Sequence, residues 1–411
     1  MDTVSRLSRA AIAGIEAHVL SSARVSELAA TLGVSDRHLR RVTEAELGVS
    51  PIELAQTCRL LLAKRLLRET KLGQTEIAFA SGFGSVRRFN ALFKQRYGLS
   101  PRDLRRAAPS APSLSGAPEN ENIGLSCQLE FRPPLAWQSL LGYMRLRAIP
   151  GVESVDERSY RRTVSIDQHQ GWISVSLAKS ANALVVDLSQ SLAPVIGPVI
   201  ARVKQLFDLG ALPDAVSAHL SKDRALARAV RRFPGLRVPG AFDGFEIAVR
   251  AILGQQVSVM GASTLAGRWA QEFGAPVETP YLELNRLAPT AKRIAETDPA
   301  VIAALGIVGT RSRSTVLLAR AVMDRKVTLV FAADVDAQLA ALMNLPGIGP
   351  WTAQYIAMRT LAWPDAFPSG DLVLQKAAGV GDRELLKRAE QWRPWRSYAA
   401  HYLWQSMGDP R

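Results

Sequence analysis

Near the end of the chain, a glycine-framed turn precedes a lone aspartate, and both are residue types that can act on a polyanion. The turn lies in LPGIGPWTAQY, residues 345–355. Gly347 and Gly349 let the backbone take positive φ and let a phosphate approach the N–H groups at a helix start. Most such turns only connect helices, so the turn alone is weak evidence. Asp371, in FPSGDLVLQKA, opens another helix, where an aspartate is commonly a cap and can also be catalytic.

The elements that position these residues are mainly helical. From residue 209 onward the patterning is helical, and FEIAVRAILGQQVSVMGASTLAGRWAQEF is its clearest long stretch. Before it, SYRRTVSI, GWISVSL and ALVVDLS predict a small antiparallel sheet with helices. The fold class is therefore mainly α with a small α+β domain. The predicted parts are a basic helical domain at 1–106, a flexible linker at 107–122, a sheet domain at 123–208 and a helical domain at 209–411.

The overall charge of the chain favours a nucleic-acid partner. The formal net charge is +14 and the isoelectric point about 10.2, which favours a polyanion bound through its phosphates, although a merely solvated basic surface gives the same totals. Residues 1–106 carry 18 Lys and Arg against 10 Asp and Glu. The basic charge is therefore concentrated in the first helical domain.

Composition argues against several classes of site. Cys58 and Cys127 are the two cysteines, and neither has a partner at metal-ligand spacing, so we expect no disulfide framework, zinc site or cysteine-bound iron–sulfur cluster. No phosphate-binding loop or dinucleotide fingerprint is present, so we expect no cofactor. The chain has neither a secretory leader nor an apolar run that could span a membrane. We therefore expect a cytoplasmic protein whose N-terminus is a mature helix. We also expect it to be a monomer and to be associated with the nucleoid.

The first domain contains an internal repeat in which GVSP recurs as GLSP. Each block has a short helix, then a glycine (Gly33, Gly82), then a serine that can cap the next helix (Ser35, Ser85). This spacing predicts two helix-turn-helix motifs whose second helices can enter a DNA major groove; two ordinary helical hairpins with basic faces are the alternative. The side chains predicted to face DNA are Arg37, His38, Arg40, Arg41, Arg87, Arg88 and Asn90.

The stretch IAFASGFGSVRRFNALFKQRYGLSP resembles the paired helix-turn-helix domain of AraC-type regulators, and the resemblance covers residues 7–106. It implies binding to a specific promoter sequence. Regulators of this family normally carry a sensor domain, which is an upstream zinc-bound cysteine module in those that respond to DNA methylation. Such cysteines do not precede these helices, so we expect no ligand or methyl sensing within this chain.

Residues 128–407 resemble the bacterial 3-methyladenine DNA glycosylase II family (AlkA type), within the helix-hairpin-helix superfamily. The resemblance is carried, in order, by FRPPLAW, LGYM, GLRVPGAFDGFE, AILGQQVSV, LPGIGPWTAQYIAMR and WRPWRSYAAHYLW. It implies a small sheet domain followed by two helical lobes around a lesion pocket, with Asp371 as the catalytic aspartate. It also implies a hairpin that holds the DNA backbone, formed by Leu345, Gly347, Ile348 and Gly349.

The implied chemistry is N-glycosidic hydrolysis. Breaking this bond gives the sugar oxocarbenium character, so a buried carboxylate opposite the departing base lowers the barrier. That role falls to Asp371. Bifunctional relatives use a lysine amine as nucleophile, and in one branch this lysine sits where Trp351 stands here. We therefore expect a monofunctional enzyme that uses water and leaves an abasic site.

The resemblance also implies an aromatic pocket for a flipped base. Alkylation at purine N3 or N7 makes the base cationic, and aromatic faces attract cations. Lesions that pair and stack poorly are cheaper to flip. For each aromatic side chain taken alone, core packing is an adequate explanation. The side chains at the lining positions are Tyr143, Trp351, Tyr355 and Trp404.

One position departs from the family pattern. The apolar wedge that fills the gap left by the flipped base corresponds to Gln256, whose polar side chain loses less by staying in water. Two functions remain open. One is a DNA-3-methyladenine glycosylase that releases 3-methyladenine and 7-methylguanine from double-stranded DNA in base-excision repair. The other is a transcriptional regulator of the alkylation response whose glycosylase half only recognises damage. Asp371 favours the enzyme, because a binding-only module has no use for it.

Overall fold

The computed structural model describes residues 7–8, 10–12, 14–15, 25–107, 124–331 and 334–408. The predicted linker, apart from residue 107, and most of the predicted N-terminal helix lie outside these ranges. From Val25 onward, the helices of the N-terminal part are α1 (Val25–Thr31), α2 (Asp36–Leu47), α3 (Pro51–Glu69), α4 (Gln74–Ala80), α5 (Val86–Tyr97) and α6 (Pro101–Ala107).

The turns that join α1 to α2 and α4 to α5 have the predicted chemistry. Gly33 has φ 72° and Gly82 has φ 79°, in the left-handed region that glycine enters without strain. The side chain of Ser35 accepts the N–H of His38, and the side chain of Ser85 accepts that of Arg88, so each serine caps the second helix of its motif. The N-terminal helix-turn-helix prediction is confirmed.

A five-stranded sheet follows, with strands β1 (Leu125–Glu130), β2 (Glu153–Val155), β3 (Ser159–Ile166), β4 (His169–Leu177) and β5 (Ala183–Leu188). Its order is β1-β5-β4-β3-β2. The pairs β1–β5, β4–β5 and β2–β3 are antiparallel. β5 is buried along its whole length because it is an inner strand. Three strands match the predicted stretches; the other two were not predicted, since β2 is very short and β1 mixes polar with apolar residues.

The remaining elements are helical. Helix α7 (Trp137–Arg147) lies between β1 and β2 in the chain. After the sheet come two 3₁₀ helices, η1 (Gln190–Val195) and η2 (Glu390–Trp392), and the helices α8 (Ile196–Leu206), α9 (Pro213–Leu220), α10 (Arg224–Arg232), α11 (Gly244–Leu253), α12 (Val259–Phe273), α13 (Ala291–Ala295), α14 (Pro299–Ala303), α15 (Gly309–Met323), α16 (Val335–Met343), α17 (Pro350–Thr360), α18 (Leu372–Ala378), α19 (Asp382–Ala389) and α20 (Arg396–Ser406). Within the described ranges, none of the helices is long and apolar enough to cross a membrane.

The longest predicted helical stretch is interrupted. It forms α11 and α12 with a turn at residues 254–258 between them. Two local features explain the break. Ser258 caps α12 by accepting the N–H of Gly261, and Gln256 has φ 55°, which a continuous α-helix does not allow.

The chain forms two compact units. The first comprises Met1–Glu130, Val164–Val203 and Phe331–Ala333, and the second comprises Phe131–Thr163, Lys204–Val330 and Asp334–Arg411. Within the first unit, the carboxylate of Glu69 on α3 accepts the backbone N–H of Gln128 on β1 at 3.0 Å.

In the second unit, α11 is the central helix, since its residues 245–253 are all buried. A helix that is apolar on nearly every side belongs in a core.

Candidate active site

The predicted hairpin leads into α17 within the second unit. Gly347 has φ 85°, and a Cβ at this position would collide with Oγ of Ser314 on α15. The expected positive φ is therefore present at Gly347. It is absent at Gly349, which has φ −87° and caps α17, and where a Cβ would meet nothing within 4 Å. The hairpin therefore needs one glycine for its backbone, while the second leaves open space beside the exposed turn.

Side chains from two other helical segments hold the hairpin. Ser314 Oγ donates to the carbonyl of Pro346 at 2.7 Å. The amide Nε2 of Gln255, in the turn after α11, donates to the carbonyl of Gly347 at 2.9 Å and to Oγ1 of Thr352 at 2.9 Å. The hairpin is thus fixed at its tip and at the start of the following helix.

The hairpin presents backbone rather than side chains. Ile348 is 4% exposed, so its side chain anchors the turn, and its N–H donates to the carbonyl of Leu345 at 3.1 Å. Gly347 and Gly349 are exposed. The N–H groups of the first turn of α17 have no acceptor inside the helix. An exposed turn followed by such N–H groups is suited to an anion such as a DNA phosphate.

Asp371 is held by three donors. It caps α18, with Oδ1 accepting the N–H of Leu374 at 2.9 Å. Trp351 Nε1 donates to Oδ2 at 3.1 Å, and Trp404 Nε1 donates to Oδ1 at 3.3 Å. The two indoles come from α17 and α20, so the position of the carboxylate depends on three helices. Such fixed donors hold a negative charge in place without reorganisation during a reaction.

The expectation of a buried carboxylate is wrong. Asp371 is half-buried, because it lies at the exposed start of a short helix whose first residue, Leu372, is 77% exposed. A partly open carboxylate remains reachable by water and by a substrate that enters from outside.

The four aromatic side chains predicted to line the pocket lie together beside Asp371. The rings of Trp351 and Tyr355, one helical turn apart on α17, are stacked at 5.4 Å with 8° between their planes. Tyr355 and Trp404 are 6.4 Å apart at 59°. The hydroxyl of Tyr143 on α7 is 3.0 Å from that of Tyr355. Tyr143 is buried, whereas the other three are half-buried.

Two arginine side chains that were not among the predicted site residues contact the same tyrosines. Arg359 Nη1 donates to the hydroxyls of Tyr143 at 2.9 Å and Tyr355 at 2.7 Å. The guanidinium of Arg147 lies 3.8 Å from the ring centre of Tyr143. Arg359 follows Tyr355 by four residues, so helical spacing was an available signal for this contact.

The arginines change the acidity of one tyrosine. Burial alone would raise the pKa of Tyr355, but Arg359, Arg147 and the hydrogen bond to Tyr143 outweigh burial and lower the pKa to about 8. Burial raises the pKa of Tyr143 to about 12. His401, whose ring centre is 4.8 Å from that of Tyr143, has a pKa well below its ordinary value because of burial and the nearby arginines, so it is neutral.

The residue at the predicted wedge position, Gln256, lies in the exposed turn between α11 and α12. Its positive φ of 55° is unusual for a residue with a side chain and projects the turn outward. Its neighbour Gln255 contacts the hairpin, so the turn and the hairpin are tied together.

The predicted DNA-facing residues of the helix-turn-helix motifs lie in the first unit. Three of them, His38, Arg41 and Asn90, make side-chain hydrogen bonds within the protein. His38 Nδ1 is 2.9 Å from Arg41 Nη2, and Asn90 Oδ1 accepts from Gln74 Nε2 at 2.6 Å. The exposed members are Arg37, Arg40, Arg41, Arg87 and Arg88.

Three family models match the chain. Residues 28–107 match a helix-turn-helix domain, residues 126–243 match the AlkA N-terminal domain, and residues 249–391 match the HhH-GPD superfamily base excision DNA repair protein. Together they cover the basic helices and, of the aromatic site, Tyr143, Trp351, Tyr355 and Asp371, while Trp404 lies beyond the last matched residue.

Relatives extend over most of the chain. It is 36% identical over 393 residues to a probable bifunctional transcriptional activator/DNA repair enzyme AlkA from Mycobacterium tuberculosis (strain CDC 1551 / Oshkosh), covering 94% of this chain and 77% of that one. It is 35% identical to DNA-3-methyladenine glycosylase 2 from Escherichia coli (strain K12), covering 68% and 97%. In fold, it is similar to a 3-methyladenine DNA-glycosylase from Archaeoglobus fulgidus, with a TM-score of 0.59 at 19% identity, covering 69% and 99%.

Proposed function

The chain belongs to the family of AlkA-type 3-methyladenine DNA glycosylases fused to an AraC-type helix-turn-helix segment, and we propose that Asp371 and its aromatic neighbours form its active site. It is a DNA glycosylase, a hydrolase, with DNA as its partner. The proposed substrates are purines alkylated at N3 or N7, with 3-methyladenine and 7-methylguanine as representatives. The observation that carries the proposal is the carboxylate of Asp371, held by two indole N–H groups whose rings line the same site.

Asp371 stabilises the transition state. As the C1′–N bond breaks, the sugar gains positive charge, and a carboxylate fixed in place lowers the energy of that charge. Oδ2 accepts one hydrogen bond, from Trp351, and retains a lone pair that can orient an attacking water. Water adds to C1′, the electron pair of the broken bond leaves with the base, and an abasic site remains.

The reaction is monofunctional. Strand cleavage by the related bifunctional enzymes needs a lysine amine as nucleophile, and the corresponding position holds Trp351. The indole of Trp351 donates to Asp371 and stacks with Tyr355, so the side chain serves the carboxylate and the pocket together.

Two exposed turns support binding of the flipped nucleotide. The hairpin that includes Gly347 and Gly349 binds the DNA backbone through N–H groups, which requires no particular sequence. Gln256 fills the space that the flipped base leaves in the stack. The bond between Gln255 and the carbonyl of Gly347 supports coordinated action of the two turns.

The N-terminal helices bind a promoter sequence through the exposed arginines of α2 and α5. In this proposal the chain consists of a regulator domain at 1–106, a linker at 107–122, a sheet domain at 123–208 and a catalytic domain at 209–411. It works as a monomer on nucleoid DNA.

The decisive test measures base release from methylated duplex DNA. Asp371→Asn should lower release by about a hundredfold or more, while the affinity for DNA stays close to that of the wild type. Asparagine caps helices as well as aspartate does, so its side-chain oxygen keeps the cap on α18, while the charge and the acceptor of the Trp351 indole are lost. Asp298→Asn, which alters a cap on α14 outside the site, is the matched control and should retain release.

If the wild-type protein binds methylated DNA but frees no base, the proposed reaction is wrong. That outcome would instead favour a regulator whose second half recognises damage without turnover.

A further inference from the structure

The hydroxyls of Tyr143 and Tyr355 leave one hydrogen without an acceptor in their cluster. Arg359 Nη1 carries two hydrogens and donates one to each hydroxyl oxygen. The two hydroxyls, 3.0 Å apart, share one further hydrogen. Two hydroxyls carry two hydrogens, so one remains. Tyr143 is 5% exposed whereas Tyr355 is half-buried, which assigns the spare hydrogen to Tyr355.

Tyr355 is also surrounded by positive charge. Side chains from three helices set its electrostatic environment, namely Arg359 on α17, Tyr143 and Arg147 on α7, and Arg250 on α11. His401 on α20, whose ring lies 4.8 Å from that of Tyr143, is neutral. The carboxylate of Asp371 lies at the edge of the stacked Trp351 ring, where it accepts the indole N–H. Three guanidiniums around one phenol make its hydrogen a strong donor, and the pKa of Tyr355 is correspondingly lowered to about 8.

A proton donor matters for only one class of purine base. A purine alkylated at N3 or N7 is cationic and departs as a neutral molecule, so it needs no proton. A purine that is neutral before cleavage departs as an anion unless a donor protonates it. Positive charge around the site does not stabilise the departure of a base that is already cationic. It does stabilise the negative charge that develops on a neutral base as the bond breaks.

Building on the proposed function, we propose that Tyr355 is the proton donor to departing bases that are neutral before cleavage, with Tyr143 and Arg359 positioning its hydroxyl. As the C1′–N bond breaks, its electron pair stays on the base and a base nitrogen takes the Tyr355 proton. Water bonds to C1′, and the proton it loses restores the Tyr355 hydroxyl through solvent. The products are the free base and an abasic sugar, so the step balances as a hydrolysis.

The test compares two lesions in otherwise identical duplexes. Hypoxanthine is the neutral probe and 7-methylguanine the cationic one, and single-turnover release of each is measured with the full chain. The readout is the ratio of the hypoxanthine rate to the 7-methylguanine rate, because effects on Asp371, folding or DNA binding act on both rates and cancel. Tyr355→Phe, which keeps the ring, should lower the ratio by about a hundredfold.

The pH profile tests the same hydrogen. In the wild type the ratio should fall as pH rises through about 8, since deprotonated Tyr355 has no proton to give. In Tyr355→Phe the ratio should be flat over that range. Tyr143→Phe removes a hydrogen bond that lowers the pKa of Tyr355, so the pH at which the ratio falls should be higher in this variant.

Tyr398→Phe is the matched control, because it removes a buried hydroxyl on α20 that donates to Asp208 at 2.6 Å. It should leave the ratio unchanged. The inference is overturned if Tyr355→Phe leaves the ratio at the wild-type value, or if the wild type releases 7-methylguanine but no hypoxanthine. Release of neither base would instead overturn the proposed function.

Discussion

At the scale of single residues, the two tryptophans that bind Asp371 differ in what their loss would leave behind. Trp404 donates to Oδ1, which also accepts the N–H of Leu374. Trp351 donates to Oδ2, for which the described part of the chain shows no second donor. If Trp404 is lost, Oδ1 therefore still accepts the N–H of Leu374. If Trp351 is lost, Oδ2 has no donor left among the described residues.

We expect Trp351→Phe to reduce base release by about tenfold or more, and Trp404→Phe by only a few-fold, since a hydrogen bond to a charged group contributes about 1.5 to 3 kcal/mol. Phenylalanine keeps an aromatic face in both variants, so the comparison isolates the N–H. Single-turnover release of 7-methylguanine measures it. Equal losses in the two variants would mean that the indoles serve only as ring faces.

The residues of the site differ in how far sequence could predict them. The spacing from the hairpin to Asp371, together with the family resemblance, indicated the carboxylate and the aromatic lining, because these residues recur in recognisable stretches. The contact between Tyr143 and Tyr355 joins positions far apart in the chain and depends on how α7 packs against α17. The solvent exposure of Asp371 could not be predicted from sequence either, since it depends on where the preceding loop ends and α18 begins.

At the scale of elements, the hairpin shows why the two glycines are not equivalent. Gly347→Ala should lower the free energy of unfolding by about 1 to 3 kcal/mol, because alanine is strained at φ 85° and its Cβ would strike Ser314. Gly349→Ala should change it little, since this residue has φ −87° and open space around it. Thermal and urea unfolding of both variants measure the difference. Equal destabilisation would contradict the assigned hairpin geometry.

Another element junction makes stability depend on pH. Asp223 caps α10, and its carboxylate accepts from Arg388 at 2.6 and 2.8 Å and from Trp392 at 2.8 Å. Partial burial opposes ionisation, but these hydrogen bonds outweigh it and lower the pKa of Asp223 to about 2. The folded-state pKa is thus below the ordinary value of 3.8, so the stabilisation is present above that value and is lost as pH falls through about 2.

Asp223→Asn should therefore lower the free energy of unfolding by about 2 kcal/mol near neutral pH, and by less at about pH 3. Chemical denaturation at the two pH values measures both differences. Asp214→Asn, an exposed aspartate in the first turn of α9, is the control. A cost for Asp223→Asn that does not shrink with acid would show that the charge of this carboxylate is not what stabilises the junction.

At the scale of the whole molecule, the helix-turn-helix segment is not simply attached by a linker. Its α3 carboxylate, Glu69, accepts the N–H of Gln128 on strand β1 in the same compact unit. Composition predicted a boundary at residues 107–122 because that stretch has little to bury, but composition carries no information on contacts between distant segments. Removing residues 1–106 would also remove the partner of an edge strand, so substitutions test the regulator half better than deletion.

Replacing Arg37, Arg40, Arg87 and Arg88 by alanine should separate the proposed promoter binding from base release. These side chains are exposed on the second helices of the two motifs, so their loss should cost little stability. Binding to a promoter sequence should be lost, and the salt dependence of DNA binding should weaken by about one unit of slope for each arginine that contacts a phosphate. Release of 7-methylguanine from a short duplex should stay within about threefold of the wild type, because the proposed active site is built from other helices. Footprinting, salt titration and base release on one preparation measure all three quantities. A parallel fall in base release would mean that these helices also hold the damaged DNA, and the two activities would then share one binding surface.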